Sequence, residues 1–371
     1  MLRLFALILI LSISGLLAVP KRRDDDPNPL HIRLTYSRNR ILVAPITIGT
    51  PDQSLNLLVD STGADSIVFD QDCLRDDGTK CSNDQEQNYT RTLYSPSQST
   101  TSKSLGFGWK YGDDWLSANC DAFSDSITFA DFPIGMAFGS AKKLTGDWTK
   151  VIADGVLGLG LPGSNNLGAS IIKNLTSTYP SNTQNPNIVT LWLDDFGQLS
   201  KGYLTIGDYD SRNCFLDDLV NVSLTSGVAW EFQIQGWNYG NQSAKGSITR
   251  LDTTSRSILF PRAQLAVIAQ AVGAIYDNEI QGYYIPCENA VFLPDFFLTI
   301  GNKQFNIPYV EYVESFKSSD RCELLFNENT IWEQTRFGPQ VRLGHPFMRA
   351  YCTIFDYATP AISFSKAHHF Q

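Results

Sequence analysis

Apolar residues in this chain fall in short runs, or alternate with polar ones, and Gly, Pro, Asn or Asp interrupts them every few positions. The runs at 41–48, 55–59, 127–129, 188–193, 202–206, 296–300 and 361–364 have the length and period of strands, so the pattern predicts a mainly β protein. Long stretches of helical periodicity are scarce. Two segments read as helices: 168–175, and 261–274, which opens on Pro261 and carries Leu265, Val267, Ile268 and Val272.

The chain also repeats itself once, on a scale far larger than a solenoid unit. An apolar run ends at Asp60-Ser-Thr-Gly63, and much later Val156-Leu157 leads into Gly158. A second acid stands at Asp252-Thr-Thr254, and at nearly the same remove Val341-Arg342-Leu343 leads into Gly344. Arg342 makes the second copy the less apolar of the two. Two β lobes of similar plan, each holding an Asp in a loop beside a strand that ends in Gly, imply a cleft between them.

Composition narrows the picture by exclusion. The 371 residues, 43% hydrophobic and 18% charged, are too apolar for a disordered chain and enough for one large or two ordinary domains. A net charge of −9 and a pI near 5.0 offer no basic footprint for nucleic acid or an anionic membrane. His31, His345, His368 and His369 all stand near the two ends, which argues against a triad built on a central histidine and against a His-rich metal site.

Residues 1–18 read as a secretory signal, because the apolar segment stops before Lys21-Arg22-Arg23 and is marginal for a membrane span. Secretion, with lysosomal delivery as the other destination, gives the 7 cysteines an oxidising setting, and sequons at Asn88, Asn174, Asn221 and Asn241 agree with it. Cys73 with Cys81 would close a short loop and Cys287 with Cys322 a longer one. Neither pair has the CxxC spacing of zinc or redox sites, so both read as structural disulfides. Cys120, Cys214 and Cys352 remain, and the odd total leaves at least one thiol free or bonded to another chain.

Two carboxylates facing each other across a pseudo-twofold axis share one proton, because like charges about 3 Å apart do not both ionise. The ionised member takes a proton from an attacking water while the protonated member polarises a peptide carbonyl, with no metal, cofactor or histidine. Such a site favours Thr and Gly after each Asp: the hydroxyl braces the loops, and Gly allows close backbone approach. Ile46-Thr-Ile-Gly-Thr-Pro-Asp-Gln53 before Asp60, Asp154-Gly-Val-Leu-Gly-Leu159, Gly202-Tyr-Leu-Thr-Ile-Gly-Asp-Tyr-Asp210, Asp252-Thr253 with Pro261, and Leu343-Gly-His-Pro-Phe-Met-Arg-Ala-Tyr-Cys-Thr-Ile-Phe-Asp356 resemble the pepsin-like aspartic proteases over residues 36–371. That resemblance implies a bilobal fold, with a short N-terminal segment at 19–35, an N-terminal β lobe at 36–209 and a C-terminal β lobe at 210–371. It implies Asp60 and Asp252 as the catalytic dyad of an endopeptidase, a peptide or protein substrate in the cleft, no cofactor or metal, and a monomer. It also puts Tyr111, in Trp109-Lys-Tyr-Gly112, on a flap hairpin over the cleft as a substrate-binding residue, and likens Cys287 with Cys322 to the family's disulfide in the second lobe.

The sequence departs from the family at both loops. Counted forward from Pro51 the catalytic aspartate is Asp60, but counted backward from Ile67-Val68 the family's Asp-Thr-Gly falls on Ser61-Thr62-Gly63. The simplest account is a one-residue insertion at Ser61 that lengthens the loop holding Asp60. In the second loop Thr254 follows Thr253 where the family has Gly, and a β-branched residue suits a close or positive-φ position poorly, so its bulk is expected to push the loops apart. Thr62 and Thr253 remain as the expected braces, while Ala64 lacks the hydroxyl common at its position. The stretch from 19 to 35 is also shorter than the basic prosegment of family zymogens.

Two functions follow from different classes: an acid endopeptidase that works despite its altered loops, or a catalytically impaired homologue that binds peptides or a protein partner in the cleft. Gly158-Leu-Gly-Leu-Pro-Gly163 matches the spacing of a dinucleotide-binding loop, but Pro162 lies within it and no βαβ alternation surrounds it. Asp24-Asp25-Asp26 reads as a solvated N-terminal segment.

Overall fold

The computed structural model describes residues 29–37, 40–84, 89–112, 116–164, 166–167, 170–178, 183–194, 201–278, 280–315 and 320–369. The segment at 1–18 expected to be a secretory signal, the charged runs at 21–26 and the sequon at Asn88 lie outside them. The protein is mainly β, as the hydropathy pattern predicts. The runs read from sequence fall in strands Leu42–Ile48, Gln53–Asp60, Leu116–Phe129, Ile188–Leu193, Lys201–Ile206, Phe296–Ile300 and Ala361–Ala367. The two helical segments correspond to Ile171–Thr178 and to Arg262–Ala271, whose N-cap is Pro261.

Among the described residues, one sheet of thirteen strands spans both halves of the chain. Leu30–Tyr36 pairs antiparallel with Lys201–Ile206, so a strand already forms inside the segment expected at 19–35. Ile188–Leu193 is buried at every position, which explains its unbroken apolar run, and it pairs with Tyr351–Asp356 from the far end of the chain. Ala361–Ala367 and Cys214–Val222 complete that edge. The C-terminal strands therefore close onto the N-terminal half, and the largest of the apolar clusters runs from Leu30 to Phe364 across the join. A separate eight-stranded sheet carries Ile248–Leu251 and Val341–Leu343 in the second half.

Three disulfides pin this arrangement: Cys73–Cys81, Cys287–Cys322, and Cys214–Cys352, which joins the two halves of the C-terminal edge. The remaining thiol, Cys120, is free and buried, and burial pushes its pKa far up, so it is held as an inert thiol.

Candidate active site

The two aspartates stand at matching points of matching substructures. Asp60 ends Gln53–Asp60, which runs parallel to Gly155–Gly158 with Gly158 opposite Asp60. Asp252 follows Ile248–Leu251, which runs parallel to Val341–Leu343, and its N–H donates to the Leu343 carbonyl at 3.0 Å. Each Asp loop must cross over the end of the neighbouring strand, and glycine makes room for it. A Cβ on Gly158 would lie 2.6 Å from the Ala64 carbonyl carbon, and one on Gly344 would lie 2.3 Å from the carbonyl oxygens of both Ser255 and Ser257. The sequence repeat is thus a repeat of this crossing.

Both carboxylates are buried, Asp60 at 6% and Asp252 at 3% exposure, and both are gripped in the same way. Asp60 Oδ1 accepts from Thr62 N at 2.7 Å and from Thr62 Oγ1 at 2.6 Å. Asp252 Oδ1 accepts from Thr254 N at 3.0 Å and from Thr254 Oγ1 at 2.6 Å. Neither threonine has a positive φ. Thr254 therefore does not wedge the loop open as its bulk led us to expect: its hydroxyl turns inward and holds Asp252.

The loops brace each other through Ser61 and Thr253. Ser61 N donates to Thr253 Oγ1 at 2.8 Å and Thr253 N donates to Ser61 Oγ at 3.1 Å. Ser61 Oγ donates to the Leu251 carbonyl at 3.0 Å, and Thr253 Oγ1 donates to the Val59 carbonyl at 2.7 Å. This corrects two expectations. Ser61 is the brace in place of Thr62, and it is no insertion, because Asp60-Ser61-Thr62 and Asp252-Thr253-Thr254 make the same bonds residue for residue. The first loop does carry one residue more before its strand resumes at Ile67 rather than Ile258, but that residue lies beyond the grip on Asp60. Gly63 accepts from Gly160 N at 2.8 Å, and Ser66 Oγ takes the Gly158 N–H at 3.0 Å, so a hydroxyl two residues past Ala64 ties the loop to its partner strand.

The second oxygens of the pair differ. Tyr111, on Lys103–Gly112 of a hairpin with Leu116–Phe129, reaches down so that its hydroxyl donates to Asp60 Oδ2 at 3.3 Å. Asp252 Oδ2 instead accepts from Arg342 Nη1 at 3.0 Å, in an ion pair whose side chains are 12% and 4% exposed. Burial raises the Asp60 pKa from its ordinary value; the Thr62 bonds oppose this and the Asp252 charge adds to it. Burial, and then the Asp60 charge, push the Tyr111 phenol up, so it stays a donor. The signal for Arg342 was in the sequence, as a charge in an otherwise apolar strand just before Gly344, but nothing there said which group it meets.

Behind the site the halves are pinned at one atom. The Leu159 carbonyl, next to Gly158, accepts from Trp230 Nε1 at 2.7 Å and from Tyr357 Oη at 2.6 Å, both from the second half of the chain. In the second loop, His345 Nε2–H donates to the Thr253 carbonyl at 2.9 Å. Gly158–Gly163 is the end of a lobe strand and the turn after it.

Two buried aspartates on pseudo-equivalent, cross-braced loops of a β protein define a class, and comparison with known proteins agrees. The family model of eukaryotic aspartyl proteases matches residues 42–367, and the chain belongs to that family. Among curated relatives it is 28% identical to aspartic protease 17 of Caenorhabditis elegans over 343 residues, 89% of this chain and 84% of that protein. It is 28% identical to endothiapepsin of Cryphonectria parasitica over 290 residues, covering 76% and 65% of the two chains. With gastricsin of Cavia porcellus it shares 25% identity over 332 residues, 87% and 79% of the two chains.

Proposed function

We propose that this chain is an endopeptidase acting at acidic pH, with Asp60 and Asp252 as its dyad. The observation that carries the reading is the equivalence of the two grips: each carboxylate receives an N–H and a hydroxyl from the residue two positions on, across a brace built from both loops. Such preorganisation fixes the two carboxylates before substrate arrives. One carboxylate removes a proton from water, whose oxygen bonds to the peptide carbonyl carbon, while the other donates its proton to the carbonyl oxygen. On collapse the C–N bond breaks, the first carboxylate's proton goes to the amine nitrogen, and a hydroxyl of the tetrahedral carbon reprotonates the second. Tyr111 contributes a lid over the pair, beneath which an extended peptide is held.

A second reading, a cleft that binds peptides without cutting them, is favoured by one observation: Tyr111 and Arg342 already occupy the second oxygens of both carboxylates. Cleavage of a denatured protein across about pH 3 to 7 separates the two. Acid-dependent cleavage absent from Asp252→Asn supports the endopeptidase; a folded chain that binds peptides and leaves them intact supports the other. The leader at 1–18, the disulfides and the sequons, of which Asn221 and Asn241 are exposed, support a secreted or lysosomal monomer, with lobes at 36–209 and 210–371.

A further inference from the structure

We infer that Arg342 is a positioning residue that divides the labour of the dyad, holding Asp252 as the carboxylate that takes the water's proton and leaving Asp60 to carry the proton that the pair shares. The inference rests on the endopeptidase reading and gives that reading an asymmetry which the matched grips lack. Up to the gripped oxygen the two halves are alike, so neither carboxylate is favoured by Thr62 over Thr254. The choice falls to the second oxygens. A phenol hydroxyl at 3.3 Å supports Asp60 Oδ2 with a neutral donor, whereas a guanidinium at 3.0 Å, on a largely buried side chain, supports Asp252 Oδ2 with a full positive charge. In a site of low dielectric a charged donor discriminates far more strongly between a carboxylate and its protonated form.

The surrounding charges leave this assignment in place. Arg250 lies beside Arg342 in the parallel register, but its guanidinium is engaged by Glu231, with Nε to Oε1 at 2.9 Å. On the other side Arg342 is paired in register with Leu259, which carries no charge. His345, on the element that follows the Arg342 strand, is turned to the Thr253 carbonyl, and burial lowers its pKa to about 4, so it is neutral over most of the range that matters. Arg256 and Arg349 act on the same imidazole from further off, while Glu314 with Glu323 and Glu311 respectively take up their charges. From the first half, the Asp60 charge is coupled to Asp252, and Tyr111 meets Asp60. Arg342 Nε has no hydrogen-bond partner among the described residues, which leaves Asp252 as the acceptor that fixes this side chain.

The test reads proton uptake directly, so that it does not depend on turnover. The full chain is labelled with 13C at the aspartate carboxyls, Asp60→Asn and Asp252→Asn assign the two resonances, and wild type is compared with Arg342→Gln and Arg342→Lys across about pH 3 to 7. The expected result is that Asp60 takes the proton in wild type and in Arg342→Lys, and that uptake is shared between both residues in Arg342→Gln. In parallel, the acid limb of kcat/KM moves toward neutral by about one unit or more in Arg342→Gln, so that relative activity at its low end falls about tenfold. Uptake at Asp252 first in wild type, or an unchanged assignment in a folded Arg342→Gln, overturns the inference. If wild type cuts nothing, the endopeptidase reading fails by itself, and the resonances still decide the role of Arg342.

Discussion

At the scale of single residues, the site depends on small hydroxyls whose orientation decides their role. Ser61 Oγ donates to the Leu251 carbonyl and accepts from Thr253 N, both on the Asp252 loop, so removing its oxygen strands a buried carbonyl at Leu251 and a buried N–H at Thr253. Each unsatisfied group costs about 1–3 kcal/mol. Ser61→Ala is therefore expected to lower stability by roughly 2–6 kcal/mol in urea unfolding and to depress cleavage, since an error of about 1 Å between the carboxylates costs on the order of a hundredfold in rate. Ser61→Thr keeps the oxygen and should restore both. The sequence did reveal the acids and their neighbours. It did not reveal that Thr62 faces its own aspartate while Ser61 faces the other loop, because both carry a hydroxyl and differ only in the direction the backbone gives it.

At the scale of elements, two short helices bury a charge pair where the lobes join. Arg349, on His345–Ala350, meets Glu311 on Tyr309–Tyr312, with Nε to Oε2 at 3.0 Å, and their side chains are 1% and 6% exposed. Tyr36, from the strand Leu30–Tyr36, lies in the same cluster, and burial raises its phenol to about 12. Replacing one partner leaves an uncompensated buried charge, so Arg349→Met should cost about 3–5 kcal/mol. The double variant with Glu311→Leu should recover much of it, and the two midpoints in a denaturant titration check this. Neither helix was legible: each is too short for a period to register, and Tyr309–Tyr312 is a single turn. Of the long hairpin Leu116–Phe129 with Phe132–Gly146, only the run at 127–129 is legible in the sequence, for another reason. Its burial pattern slips phase along the strand, and some of its buried positions carry polar residues, such as Asp125, which is satisfied by Tyr94 and Thr101.

At the scale of the whole molecule, the acid that the proposed endopeptidase activity calls for is also a load on the fold. His345 is buried and neutral behind the Asp252 loop, and burial lowers its pKa to about 4 from an ordinary 6.5. Below the unfolded value the denatured chain binds a proton that the native state refuses. The stability this group contributes is therefore complete above about pH 6.5 and is lost as pH falls through about 4, a loss of roughly 3 kcal/mol from this residue. Thermal midpoints across that window should fall more steeply in wild type than in His345→Gln, which does not titrate. Equal slopes would mean that the histidine protonates in place.

By itself the sequence determined the β class, the internal repeat, the pair of aspartates and the family, because strand period and motif order are local properties written along the chain. Tertiary structure decided the rest. It joined Cys214 to Cys352, brought the last strands onto the first half, chose Ser61 over Thr62 as the brace, and turned Arg342 toward Asp252. Each of these depends on two segments far apart in the chain meeting in one orientation, and no local pattern of polar and apolar residues encodes which side chain a buried charge or hydroxyl will face.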